Sequence, residues 1–230
     1  MDGTDELHPL ILAAARGKLP TWASVGPSRR AHMSRVAGLM ESWARDLDLA
    51  ESDTARWRAA GFLHDVLRDA EPDRLRASAP PDFAQLSGPL LHGPVAAERL
   101  RGEGVADDEL LLAVAYHTIG HPEMKLLGLS LFAADFLEPG RPDEDGWRRV
   151  LRERMPHDRG RVFREVAAAR LVSTVEKGRM LRAESVGLWN RLLAEGFGGS
   201  AADPSVEENV RGRTTAPNMS PADSAPEARS

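Results

Sequence analysis

Between about Ser28 and Phe197 apolar residues return every three or four positions, and no stretch alternates with period two while rich in β-branched residues. That spacing builds helices with a shared apolar stripe and leaves nothing for a sheet, so the expected fold class is all-α. In "SRRAHMSRVAGLMESWARDLDL" one stripe carries His32, Val36, Leu39, Met40 and Trp43; in "SDTARWRAAGFLHDVLRD" another carries Trp57, Ala60, Gly61, His64 and Leu67. "HGPVAAERLRGEG" begins a short helix near His92, "DDELLLAVAYHTIG" groups Leu110, Ala113, Val114 and His117, and "KLLGLSLFAADFLEPGR" sets Asp135 four residues after Leu131. Each inward stripe therefore contains, or begins beside, a group that can ionise.

Punctuation divides the chain. Ser52 and Asp53 offer N-cap chemistry for the second helix, and the proline of "EPD" after Asp69 ends it, since proline cannot continue a hydrogen-bonded helix interior. "EPDRLRASAPPDF" reads as a polar loop, and the stretch from Arg161 to Phe197 as one or two long helices. With 230 residues and 42% hydrophobic content the chain supports one sizeable core. The expected organisation is a lead-in over 1–28, a helical domain over 29–197 and a tail over 198–230. That tail is rich in Pro, Ser, Ala and charge and poor in groups able to bury area, so it is expected to be disordered.

Composition then removes several kinds of chemistry. There is no cysteine, which rules out disulfides, thiolate metal sites and cysteine nucleophiles. A net charge of -5 provides no global positive field, so nucleic acid and anionic membranes are not expected partners, and an anionic substrate must be held by local charge. The N-terminus is acidic with only a short apolar run, and no later run approaches the roughly 20 apolar residues of a membrane span. A cytoplasmic location is expected.

His32, His64, Asp65, His92, His117 and Asp135 lie on or beside apolar stripes of separate helices, which a bundle gathers around one interior. A single such histidine is most simply a core residue bonded to a carbonyl. Six ionisable groups in one interior need more, because a buried carboxylate or imidazolium is costly unless compensated, and divalent cations supply that compensation. His8, His121 and His157 fall in terminal or loop-like sequence and are expected at the surface. Trp43, Trp57, Trp147 and Trp189 fall mainly at core spacing and are expected to pack rather than to stack on a base.

The order His, His-Asp, two further histidines, then Asp resembles the HD-domain metal-dependent phosphohydrolases. "RRAHMSRVAGLM", "AAGFLHDVLRD", "LLHGPVAAERL", "AVAYHTIGHPEM" and "LFAADFLEPGR" are similar to the YqeK-type branch, bacterial symmetrical diadenosine tetraphosphate hydrolases, over about residues 29 to 180. "HTIG" and "ADFLEPGR" select that branch. The chain departs from it at Arg68, where the family usually has lysine three residues after the Asp of the pair; a planar fork there replaces a compact point charge.

The resemblance implies a single HD-type helical bundle that uses two divalent transition-metal ions to cleave diadenosine tetraphosphate to two ADP. His32, His64, Asp65 and Asp135 would hold one ion, and Asp65 would bridge to a second held by His92 and His117, making His64 and Asp65 central to catalysis. Nitrogen and oxygen donors without sulfur suit iron, manganese, cobalt or zinc better than magnesium alone; iron is taken first. Arg29, Arg68, Thr118 and Arg141 would contact the substrate, although Arg29 and Arg141 could equally be solvated and Thr118 could cap a helix end. Glu138 is expected in a structural ion pair with a nearby arginine. The expected partner is a dinucleoside polyphosphate or nucleotide, and a homodimer is compatible. Other readings are a different HD phosphohydrolase, acting on a nucleoside monophosphate, a deoxynucleoside triphosphate or an alarmone, and a non-catalytic metal-stabilised binding bundle.

Overall fold

The computed structural model describes residues 7–143 and 145–195. Among them ten α-helices and two 3₁₀ turns follow one another without a strand, so the architecture is all-α. The helices are α1 (Pro9–Ala15), α2 (Pro27–Asp46), α3 (Glu51–Leu63), α4 (Pro72–Ala77), α5 (His92–Gly102), α6 (Asp108–Tyr116), α7 (Leu126–Leu137), α8 (Trp147–Arg154), α9 (Arg159–Glu176) and α10 (Ala183–Ala194). The tail expected over 198–230 lies outside the described residues. None of the described helices is long and apolar enough to cross a membrane.

Two helical hairpins set the geometry. α2 packs along α3 and α5 along α6, each pair joined by a short connection, so the start of one helix lies beside the end of the next. α7 is the shared centre and contacts α2, α3, α6, α8 and α9. Its sequence, LLGLSLFAADFL, is apolar on nearly every side and Leu127 through Asp135 are all buried, as expected of a helix with neighbours all round. Around it sit Met33, Val36, Met40 and Trp43 from α2 and Trp57, Ala60 and Leu63 from α3. Each large side chain removed from water in this way contributes roughly 1.5–3 kcal/mol. Trp43, only 2% exposed, loses no hydrogen bond by burial because its indole N–H donates to the Arg152 carbonyl at 3.1 Å.

Far from the histidines, the first turns of α3, α6 and α7 are stapled by charge. Arg56 donates to both oxygens of Asp107, at 2.7 and 2.9 Å, and to Asp53 at 2.7 Å. Asp107 also accepts from the Leu110 N–H and so caps α6, while Glu109 accepts from the Leu127 N–H at the start of α7. Hydrogen bonding to Asp107 raises the Arg56 pKa further, although burial acts against it.

Several sequence expectations change. The second helix starts at Glu51 behind Ala50, without a side-chain cap, and Asp53 serves Arg56 instead of capping. It stops at Leu63, six residues before the expected end, and His64 to Asp69 form tight turns closed by bonds such as Arg68 N–H to the Asp65 carbonyl at 2.9 Å. The stretch expected as a loop contains α4, which begins with Pro72 in the first turn, where proline's missing N–H costs nothing. Within the lead-in, α1 buries Ile11 and Ala14 and packs on α3. The run after Arg161 takes the second of its two expected forms, two helices parted where Gly178 has a φ of +62°.

α2 and α3 approach closely at Gly61, where an added Cβ would lie 2.5 Å from the Ala37 Cα and 2.7 Å from its nitrogen. Both obstacles are backbone. Gly61→Ala must therefore push the helices apart and is expected to cost about 1–3 kcal/mol, read as a lower urea midpoint and a melting temperature several degrees down; an unchanged midpoint would contradict this packing.

Candidate metal centre

The turn after α3 is what lets two adjacent residues serve one site. Neighbours on an α-helix point about 100° apart, but the helix ends before His64, and both His64 and Asp65 reach the interior, at 0% and 3% exposure. His32 comes from the second turn of α2, His92 from the start of α5 and His117 from the end of α6. Each hairpin thus delivers two imidazoles to one end of the bundle. Gly93 permits the α5–α6 pairing: a Cβ there would stand 2.7 Å from the Val114 carbonyl oxygen.

Asp65 divides its oxygens between the two pairs. Oδ2 lies 3.6 Å from His32 Nε2 and 3.5 Å from His64 Nε2, and Oδ1 lies 3.0 Å from His92 Nε2 and 3.4 Å from His117 Nε2. In His32, His64 and Asp65, and again in Asp65, His92 and His117, one donor atom per residue falls within 4.8 Å of the others. Asp135 stands beside the first group, its Oδ1 being 3.2 Å from His32 Nε2. All six residues singled out from the sequence therefore converge.

Hydrogen bonding fixes which nitrogen faces inward. His64, His92 and His117 each donate Nδ1–H to a backbone carbonyl, of Gly61, Pro89 and Val114, at 2.8 to 2.9 Å. His32 Nδ1 faces Glu138 Oε1 at 3.2 Å. In the neutral rings the Nε2 atoms then carry only lone pairs, yet they meet one another at 3.3 Å (His32–His64) and 3.1 Å (His92–His117) and meet Asp65 as closely. Protons could relieve some of these contacts, but four clustered imidazoliums would repel each other. His92 already has a lowered pKa, through burial and the nearby charges of His117 and Arg68. A divalent cation relieves all the contacts at once, and fixed neutral imidazoles with ionised carboxylates are the donor set such an ion requires. The residues fit.

The carboxylates are held ionised. Burial would push Asp65 up, but when the surrounding imidazoles carry a second proton the charge of His64 and bonds from His117, His64 and His92 hold it well below its ordinary value. Asp135, opposed in the same way by burial, is held well below by His32 and Arg170. His32 is raised: burial opposes its charge, but Asp135 and Glu138 favour it more.

The residues expected to contact substrate lie around this centre. Arg29 donates to Asp65 Oδ2 at 2.7 Å and Arg141 to Asp135 Oδ1 at 2.7 Å, so both pair with the carboxylates of the centre rather than standing solvated. Thr118 Oγ1 lies 3.0 Å from His117 Nε2. Arg68 is half-buried and near enough to act on His92. His8, His121 and His157 are outside both donor groups.

One residue escaped the sequence reading, and another does more than was expected of it. Arg170 donates to Asp135 Oδ2 at 3.0 Å and to the carbonyls of Thr118 and Phe132, with its guanidinium 4.4 Å from the Phe132 ring centroid. Its only signal is register, four residues after Val166 on the buried stripe of α9. Glu138 does pair with an arginine, accepting from Arg35 Nε at 2.6 Å, but it also accepts the Gly140 N–H at 2.7 Å and orients His32. Burial opposes its charge, yet these bonds, that of Arg35 first, bring its pKa down to about 2.

The HD domain family model matches residues 29–173. Three bacterial relatives carry the name bis(5'-nucleosyl)-tetraphosphatase, symmetrical. That of Staphylococcus aureus is 32% identical over 55% of this chain and 64% of its own length; that of Halalkalibacterium halodurans 27% over 69% and 87%; that of Bacillus subtilis 32% over 41% and 56%. The match thus spans less than two thirds of the first of these relatives. A crystal structure of a predicted HD superfamily hydrolase involved in NAD metabolism from Clostridium acetobutylicum superposes with a TM-score of 0.65 at 21% identity, over 80% of this chain and 96% of that one, and shares the fold.

Glu138→Gln keeps the shape of the side chain and removes the charge that orients His32. Metal affinity is expected to fall about 10–100-fold, measured by competition with a chelating dye; unchanged affinity would contradict the orienting role. In metal-free protein the depressed carboxylate contributes stability that is present above its ordinary pKa of 4.5 and is lost as pH falls through about 2. The gap in urea midpoint between wild type and Glu138→Gln is therefore expected to narrow from pH 6 to pH 2.5.

Proposed function

The chain belongs to the HD domain family, and from that premise we propose that it hydrolyses diadenosine tetraphosphate symmetrically, water adding to a phosphorus within the bridge and two ADP leaving. The observation that carries this reading is Asp65, whose two oxygens serve two pairs of imidazoles. Such an arrangement suits a pair of ions acting on one phosphoanhydride. The names of the three bacterial relatives supply the substrate.

His32, His64, Asp65 and Asp135 would hold one ion, and Asp65, His92 and His117 the second. The ions are divalent transition metals, iron first and manganese, cobalt or zinc as alternatives. When bound, they lower the pKa of water and neutralise phosphoryl oxygens as charge develops. The chain's own contribution is orientation and charge. Backbone carbonyls lock three imidazoles, and Glu138 locks the fourth. Arg29 and Arg141, already against the carboxylates, are placed to turn a guanidinium toward a phosphate, where a planar fork binds two oxygens. Arg68 and Thr118 are assigned to the same task. His64 and Asp65 sit at the heart of the reaction, within a domain taken as residues 29–197. A cytoplasmic setting suits a nucleotide substrate.

Product analysis tests the reading. Metal-loaded protein is expected to convert diadenosine tetraphosphate to ADP alone; AMP with ATP would mean cleavage at the wrong linkage. Intact diadenosine tetraphosphate beside a consumed monophosphate, deoxynucleoside triphosphate or alarmone would overturn it. Asp65→Ala is expected to lower turnover by several orders of magnitude, measured as ADP release, since both donor groups lose their common member. A variant with full turnover and lowered stability would instead describe a binding bundle.

A further inference from the structure

A cavity of about 670 Å³ opens beside the histidine–carboxylate centre. Its inner end is formed by Thr118, which touches His117, and by Arg141 and Arg170, which both bond Asp135. Its outer wall is the connector between α9 and α10, turned at Gly178. The basic side chains on the lining are Arg141, Arg148, Arg170, Lys177, Arg179 and Arg182, and no carboxylate lines it among the described residues. For a chain whose net charge is -5, that is a marked local excess.

The inner and outer cations differ in their company. Arg141 and Arg170 are matched by Asp135, and Arg148 donates to the carbonyls of Phe136 and Pro142. On the connector, Lys177 donates to the Ser173 hydroxyl at 2.9 Å and Arg182 reaches the Gln85 carbonyl at 3.4 Å. Arg179 has no side-chain partner among the described residues, and none of the three has a carboxylate partner there. Elsewhere helical arginines are neutralised one turn away, as in Arg149–Glu153, Arg154–Asp158 and Arg191–Glu195. Met180 projects from the same connector at 79% exposure, and Phe132, Leu171 and Leu188 give the cavity an apolar side.

A cavity with cations at both ends and an apolar wall between fits a long polyanion that carries a flat base. A single phosphate monoester would leave the outer wall unused. We infer that the Lys177–Arg182 connector is a second phosphate-binding wall, which holds the half of a dinucleoside polyphosphate beyond the cleaved linkage. Lys177, Arg179 and Arg182 face its outer phosphates, and Met180 with the apolar wall faces its base. The inference rests on the reading above for the identity of the substrate, and on the cavity for the length of the anion. It makes this connector a specificity-determining element that selects extended polyphosphates over mononucleotides.

The test compares metal-loaded wild type with Lys177→Gln/Arg179→Gln/Arg182→Gln, using calorimetric titration with tripolyphosphate and with orthophosphate. Loss of three cation–phosphate contacts, each partly screened by solvent, is expected to weaken tripolyphosphate by about tenfold or more and orthophosphate by less than about twofold. With diadenosine tetraphosphate most of the loss is expected in KM, and Arg179→Lys/Arg182→Lys, which restores the charge, recovers most of it. Unchanged tripolyphosphate affinity, or an equal loss for both anions, would overturn the wall. Arg179→Gln alone guards against misfolding of the triple variant, because its side chain holds nothing in place; it too must weaken tripolyphosphate, by a few-fold. If wild type leaves diadenosine tetraphosphate intact while the two anions behave as expected, the substrate reading fails and the wall stands.

Discussion

Four imidazole nitrogens and two carboxylates facing one another at about hydrogen-bond distance form the constraint on which the other features of this protein turn. Lone pairs in such numbers cannot share a dry interior unless something positive sits among them. The fold meets that requirement with geometry. Two hairpins and a central apolar helix bring the four rings and two acids to one end of the bundle, and every ring is fixed by a bond on its outward nitrogen. The bland expectation for a buried histidine, a bond to a backbone carbonyl, holds for three of these rings at Nδ1, and that bond is also what presents Nε2 inward. A satisfied core residue and a candidate metal donor are thus compatible in one imidazole.

Much of this was legible in the sequence because helical periodicity survives translation into packing. His32, Asp135 and their neighbours recur at the spacing that buries them, and all six residues expected in the centre converge. The end of α3 was not legible. Apolar residues continue through Val66 and Leu67, so pattern alone extends the helix to Asp69, whereas the requirement that His64 and Asp65 point the same way ends it at Leu63. Arg170 was hidden for the opposite reason: an arginine on a charged helix looks solvated, and only its place in the stripe after Val166 marks it as inward. Glu138 was expected to pair with an arginine and does, but a sequence does not reveal that one carboxylate also reaches an imidazole more than a hundred positions away. The short α4 was masked by a proline that reads as a breaker yet suits a first turn.

Net charge is likewise an average that conceals arrangement. An acidic chain with no global attraction for anions gathers arginine and lysine around one cavity and places carboxylates beside basic side chains over much of the remaining surface. Composition speaks to the field of the whole chain, but it carried no information about a local field, which depends on which helix faces meet.

The staple around Arg56 and the cluster around Asp65 occupy opposite ends of α3, with the packed aromatic and aliphatic core between them. The electrostatics that tie helix starts together and the clustered donors are thereby kept apart, so a substitution in the staple is felt first by the packing of α3, α6 and α7, and one among the donors first by the site.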